Sequence, residues 1–133
     1  MPEEIRQDED VYKTITIMNI LADWGAKGEQ IINIVGLPEN IKPRMLRRFH
    51  DNTAFPESPV IEKSIEHILG IADALRTTYP GNARMAVQWM QTKHRRFAQK
   101  TPLETISQPG TSGLTHVRAE LDCTFAWDLT GSK

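Results

Sequence analysis

The chain has one cysteine, Cys123, among 133 residues. A lone thiol has no intramolecular partner, which excludes a disulfide-stapled framework of the secreted kind. One cysteine cannot build a structural zinc site either, and the histidines at 50, 67, 94 and 116 show no ligand spacing with one another or with carboxylates, so no metal is expected. Long apolar runs are also missing, and the first ten residues are acidic and polar, with neither a basic n-region nor an apolar h-region. These absences predict a cytoplasmic protein with no membrane segment. Charge of one sign is lacking too: 16 Lys and Arg stand against 17 Asp and Glu, a net charge of -1. That balance argues against coating nucleic acid by bulk charge and leaves room only for local basic patches. There is no glycine-rich phosphate loop and no nucleophile elbow. Cys123, His116 and Asp122 have the residue types of a nucleophile, base and orienter, but seven residues along one helix separate the thiol and the imidazole by roughly 10 Å, beyond hydrogen-bond reach. The sequence therefore predicts no catalytic residue, no cofactor and a non-enzymatic protein.

What is present is an ordinary globular composition, 39% hydrophobic and 25% charged. It suits one domain, or two small ones sharing a core. Apolar residues recur at spacings of three and four, with no convincing alternation, so the fold class is all-α. After an acidic leader reaching Asp10, whose Asp8 or Asp10 would cap, a first helix carries Val11, Ile15, Met18, Leu21 and Trp24 inward and stops at Gly25. Residues 29–35 form a second helix, with a strand as competitor because Ile31, Ile32, Ile34 and Val35 are β-branched. Asn40 is expected to cap a third helix over 41–49, with Leu46 and Phe49 inward. Residues 50–59, punctuated by Asp51, Asn52, Pro56 and Pro59, read as a linker, which divides the chain into units 1–57 and 58–133. Ser58 and Pro59 then start a long helix carried inward by Ile61, Ile65, Ile68, Leu69, Ala72 and Leu75 and ended by Pro80-Gly81. Asn82 caps a helix bearing Met85, Ala86, Trp89 and Met90. Thr101-Pro102-Leu103-Glu104 is a capping box with proline at the first helical position. Ser112 caps a last helix with Leu114, Val117, Leu121 and Phe125 on one face.

Two basic clusters stand out. Lys42, Arg44, Arg47 and Arg48 point outward from the third helix, and the first three helices have the outline of a helix-turn-helix unit, in which such cations would meet phosphates and guanine edges. The bland reading is a solvated basic face. Lys93, His94, Arg95, Arg96 and Lys100 surround Phe97, either as a solvated turn with an aromatic plug or as a surface for nucleic acid or an acidic protein. Trp24 and Trp89 sit on apolar stripes and are expected in the core. Trp127, beside Phe125 and Leu129, lies in a terminal apolar patch of the kind that waits for a partner.

Within residues 64–121 the helix Ile68-Leu69-Gly70-Ile71-Ala72-Asp73-Ala74-Leu75, then Tyr79-Pro80, Trp89, Phe97, Thr101-Pro102-Leu103-Glu104, a glycine turn, and Val117 to Leu121 follow in order. That run resembles the toxin-binding domain of the Xre/MbcA/ParS antitoxins. The first half, with Trp24-Gly25, Ile34-Val35-Gly36-Leu37 and Leu46-Arg47-Arg48-Phe49, is similar to the Xre-like helix-turn-helix domain that precedes it in many members. The resemblance implies a three-helix DNA-binding unit followed by a four-helix toxin-binding domain in a type II antitoxin. Such a protein is a homodimer or higher oligomer that neutralises a toxin encoded beside it and represses its own operon. The toxins paired with the family are typically of the RES type, consume NAD and carry the catalysis themselves. On this reading Lys42, Arg44, Arg47 and Arg48 bind DNA, while Arg95, Arg96, Arg118, Asp122, Phe125 and Trp127 bind the toxin. The glycine often found between the aromatic and the Thr-Pro-Leu segment is replaced by Ala98, Gln99 and Lys100. The competing expectation is a stand-alone DNA-binding transcriptional regulator with no toxin partner.

Overall fold

A computed structural model describes the backbone of residues 3–130 and the side chains of residues 8–122. The described chain is all-α: α1 (Glu3–Trp24), α2 (Gly28–Val35), α3 (Arg47–Asp51), α4 (Pro59–Thr78), α5 (Ala83–Met90), α6 (Pro102–Ile106) and α7 (Ser112–Thr130). Short 3-10 turns occupy Pro43–Met45 and Arg95–Phe97. Among the described residues the only β feature is an isolated bridge between His94 and Lys100.

Local chemistry sets most of the boundaries. Gly25 takes φ +91°; its N–H donates to the Ala22 carbonyl at 3.0 Å and the Ala26 N–H to Leu21 at 2.9 Å, the paired bonds of a glycine-terminated helix. Ser58 Oγ accepts from the Val60 N–H at 3.2 Å, with Pro59 at the first helical position. Asn82 Oδ1 accepts from Met85 at 3.2 Å. The capping box of α6 closes as its sequence requires: the Glu104 N–H donates to Thr101 Oγ1 at 2.9 Å and the Thr101 N–H to Glu104 Oε1 at 3.0 Å. The β-branched run 31–35 is helical, and Ile31, Ile32, Ile34 and Val35 are all buried.

Four expectations change. The acidic leader is helical from Glu3, because nothing between Glu3 and Asp10 breaks a helix and acids favour its N-terminal end. The helix expected over 41–49 is split: Lys42 is extended (φ -105°, ψ 155°), Pro43 opens a 3-10 turn, and α3 starts only at Arg47. Proline forces the preceding residue out of helical geometry, so Asn40 has no helix to cap. In α4, Leu69 is 41% exposed while Ile71 is fully buried. The buried set Ile61, Ser64, Ile65, Ile68, Ile71 and Leu75 follows one three-and-four stripe, and Leu69 falls off it. The last helix includes Ser112, and the Thr111 carbonyl takes its first bond, from the Thr115 N–H at 3.0 Å.

The segment 50–59 is fastened down over α1. Phe55 is buried and packs 5.1 Å from Phe49, and its N–H donates to the buried Thr14 hydroxyl at 3.0 Å. Helix α4 packs against α1, α2, α5 and, most extensively, α7. A single apolar cluster thus runs from Ile17 through Ile34, Phe49 and Ile68 to Ile106 and Leu121. Polar ties cross the same way: Lys13 pairs with Glu62 at 3.2 Å, and Gln91 Nε2 donates to the Trp24 carbonyl at 2.9 Å, closing the C-terminal end of α1.

Candidate functional site

The exposed chemistry of the second half gathers on the turn between α5 and α6 and on α7. The turn is closed upon itself. The His94 N–H donates to the Lys100 carbonyl at 3.1 Å, the Gln99 and Phe97 N–H groups to the His94 carbonyl at 3.1 and 3.0 Å, and the Lys100 N–H to Phe97 at 3.0 Å. Closing so short a loop needs left-handed backbone, supplied by Ala98 (φ 55°) and Gln99 (φ 66°). Neither is glycine, and the left-handed region costs an L-residue roughly 1–2 kcal/mol.

Phe97 repays that strain. It is 4% exposed and meets Trp89 edge-on at 6.0 Å, His94 at 6.0 Å and His116 of α7 at 4.8 Å. Trp89 stacks obliquely on His94 at 5.1 Å, and His94 Nε2 lies 3.1 Å from the Trp89 carbonyl oxygen. Trp24 is in the core as expected, whereas Trp89 is half-buried and forms the outer wall of this aromatic group. His94 was expected around Phe97 as part of the basic cluster, not as a ring stacked on Trp89, and His116 was not foreseen there at all. The closeness of His94 to Phe97 in sequence offered a hint; nothing in the sequence placed His116 there.

With Phe97 as anchor, Lys93, Arg95, Arg96 and Lys100 all face solvent. Arg96 Nη1 bonds Glu120 Oε2 of α7 at 2.9 Å. Lys93, Arg95 and Lys100 make no ion pair among the described residues. The Glu104 carboxyl is held below the usual carboxylate range, first by the Thr101 backbone N–H, then by the Thr101 side chain, with Lys93 and Lys100 adding their field.

Helix α7 presents two working faces. His116 and Glu120, four residues apart, meet the turn. Arg118 lies about 200° around the helix from His116, and Asp122 about 200° from Glu120, so the two pairs face away from each other. Arg118 lies across α4, over Gly70, where a β-carbon would overlap its guanidinium. Its Nη1 is 3.4 Å from His67 Nδ1. A guanidinium only donates, so Nδ1 is the acceptor and His67 is neutral in this contact. Burial lowers the His67 pKa, with Arg118 and Lys63 adding to the shift and Glu66 opposing it. Asp122 and Arg118, with Gly70, Asp73 and Thr77, line a cavity of about 230 Å³ between the two helices.

The candidates inferred from sequence therefore divide. Arg95 and Arg96 are together on the turn; Arg118 and Asp122 are together on the α4 side of α7. Phe125, Trp127 and Cys123 belong to α7 but lie outside the residues whose side chains are described. Lys42, Arg44, Arg47 and Arg48 are all exposed, strung along an extended residue, a 3-10 turn and the first turn of α3. A groove of about 680 Å³ between α1, α4 and α5, lined by Ile20, Trp24, Leu69, Ala72, Tyr79 and Ala86 among others, had no counterpart in the sequence reading. Its one signal was Leu69, apolar but off the buried stripe. Among the described residues no three His, Cys, Asp or Glu side chains group as metal ligands, and no helix is long and apolar enough to cross a membrane.

Residues 74–124 match the family model described as the antitoxin Xre/MbcA/ParS C-terminal toxin-binding domain. The matched segment runs from the last turn of α4 through α5, the basic turn and α6 into α7. No curated protein matches the chain.

Proposed function

We propose, for a chain whose residues 74–124 carry the toxin-binding domain of the Xre/MbcA/ParS antitoxins, a type II antitoxin that neutralises a RES-type, NAD-consuming toxin encoded beside it. The match to the family model supports an antitoxin-type protein with a toxin as partner. The observation that supports a role in contact is where the matched segment lies: it contains the closed basic turn and the exposed faces of α7. The toxin surface would comprise Arg95 and Arg96 on the turn, Arg118 and Asp122 on α7, and Phe125 and Trp127 further along that helix. Such an antitoxin works by covering its partner, so it needs no catalytic group of its own. Co-expression with the neighbouring gene product followed by affinity capture should recover a stable complex and relieve toxicity. Failure to form any complex would sink the reading.

The finer part of the proposal concerns residues 1–57, taken as the DNA-binding unit of a dimer or higher oligomer that represses its own operon. Lys42, Arg44, Arg47 and Arg48 support it by their exposure and shared sign. If each reaches a phosphate, replacing them with alanine flattens the salt dependence of operator binding by roughly 0.9 log units per lost contact. A chain that binds no operator, or an unchanged slope, removes this part and leaves the toxin partnership standing.

A further inference from the structure

The four cations of the turn are not equivalent in the folded chain. Arg96 is tied to Glu120 at 2.9 Å, across to α7. Lys93, Arg95 and Lys100 are exposed and make no ion pair among the described residues. They stand on a backbone that has little freedom: the His94–Lys100 bridge closes it, and Phe97 fixes it among Trp89, His94 and His116. Ala98 and Gln99 hold left-handed conformations inside it. Strain of this kind in non-glycine residues persists only where surrounding contacts over-determine the geometry, and it is typical of sites that hold a binding conformation in advance.

We infer that Lys93, Arg95 and Lys100 form a preorganised cationic recognition element for an acidic surface of the partner toxin, with Arg96 acting as the positioning residue that ties the turn to α7. The inference rests on the toxin-binding reading and deepens it. A rigid turn suits a protein surface because its cations lose little freedom on docking, and rim charges of this type raise the association rate and fix orientation. A protein partner is favoured over nucleic acid because the turn lies within residues 74–124, which match the model of a toxin-binding domain.

The test uses the full chain and the co-purified neighbouring gene product, with binding measured across a range of salt concentrations. Arg95→Ala should weaken binding about tenfold, mostly through association rate, and the combined K93E, R95E and K100E variant by about a hundredfold or more, with a shallower salt dependence. All three side chains are exposed, so circular dichroism and melting should match the parent; a K93Q, R95Q and K100Q variant provides a milder second measurement. Arg96→Ala should lower the melting temperature slightly, through the loss of its bond to Glu120, and speed amide exchange in the turn. If the parent chain captures the gene product and the charge-reversed variant captures it equally well, the inference is overturned while the toxin-binding reading stands. If the parent chain captures nothing, both fall. If charge reversal spares the gene product but abolishes retention of a random DNA duplex, the turn is a nucleic-acid surface and the inference is likewise overturned.

Discussion

The chain carries two clusters of four cations that look alike in sequence: Lys42, Arg44, Arg47 and Arg48 in the first half, and Lys93, Arg95, Arg96 and Lys100 in the second. Each has a phenylalanine close by, Phe49 or Phe97, and both phenylalanines are buried. The backbones beneath them differ. The first cluster lies on an extended residue, a proline-led 3-10 turn and a helix of five residues, whose N-cap position is Leu46, without a capping side chain. The second lies on a loop closed by a bridge, strained at two residues and followed directly by a full capping box. Similar charge is thus offered once on a loosely capped segment and once on a preorganised one. A count of cations does not distinguish them; the hydrogen bonds of the backbone do.

The comparison breaks most decisively at the anchors. Phe97→Ala should destabilise the protein by about 3–5 kcal/mol, the usual cost of emptying a buried aromatic site, as read by chemical denaturation. It should also release the turn, seen as faster amide exchange at the Gln99 and Lys100 N–H groups. Phe49→Ala should cost a similar amount and leave exchange at those two amides unchanged. If it loosens the second turn as much as Phe97→Ala does, the two clusters are not independently built.

A smaller effect is expected at the cap. Thr101→Ala removes the bond that Thr101 Oγ1 accepts from the Glu104 N–H and should cost about 1 kcal/mol; the bond from the Thr101 backbone N–H to Glu104 Oε1 survives it and is removed by Glu104→Ala. Because the folded-state pKa of Glu104 is depressed, the contribution of its carboxylate is present above the unfolded value and is lost as pH falls through the folded one. The gap between the parent and Glu104→Ala should therefore narrow in acid, through and below the usual carboxylate range. A gap constant with pH would mean that Glu104 takes no part in the cap.

Smallest is the release of strain. Gln99→Gly places at φ 66° the residue that tolerates it, and should stabilise the fold by about 0.5–1 kcal/mol after the entropy of the more flexible unfolded chain is subtracted. Thermal melting would register a rise of a few degrees at most. A fall would show that the Gln99 side chain makes a contribution larger than the strain.

Much of this architecture was legible because the relevant forces act over a few residues. The Thr101–Glu104 box, the Gly25 stop, the Ser58-Pro59 start and the Asn82 cap each depend on hydrogen bonds within one turn of chain. The failures have the same scale of explanation in reverse. Pro43 acts on Lys42 alone, yet it divided a helix that periodicity had joined. Leu69 and Ile71 could not be told apart without knowing which neighbours surround α4. At the candidate site the cations were legible one by one, but their sorting was not. Arg96 pairs with a residue 24 positions on, and Arg118 reaches one 51 positions back.

By itself the sequence determined the all-α class and the positions of most helix ends, because capping and periodicity are local properties of the chain. Only the tertiary structure decided which charges stay free. Packing α7 against α4 and the turn commits Glu120 to Arg96 and lays Arg118 over Gly70 beside His67. Lys93, Arg95 and Lys100 are left facing water on a loop closed by its own backbone hydrogen bonds. Ion pairing and burial depend on distances between residues far apart in the chain, and those distances exist only once the helices have packed.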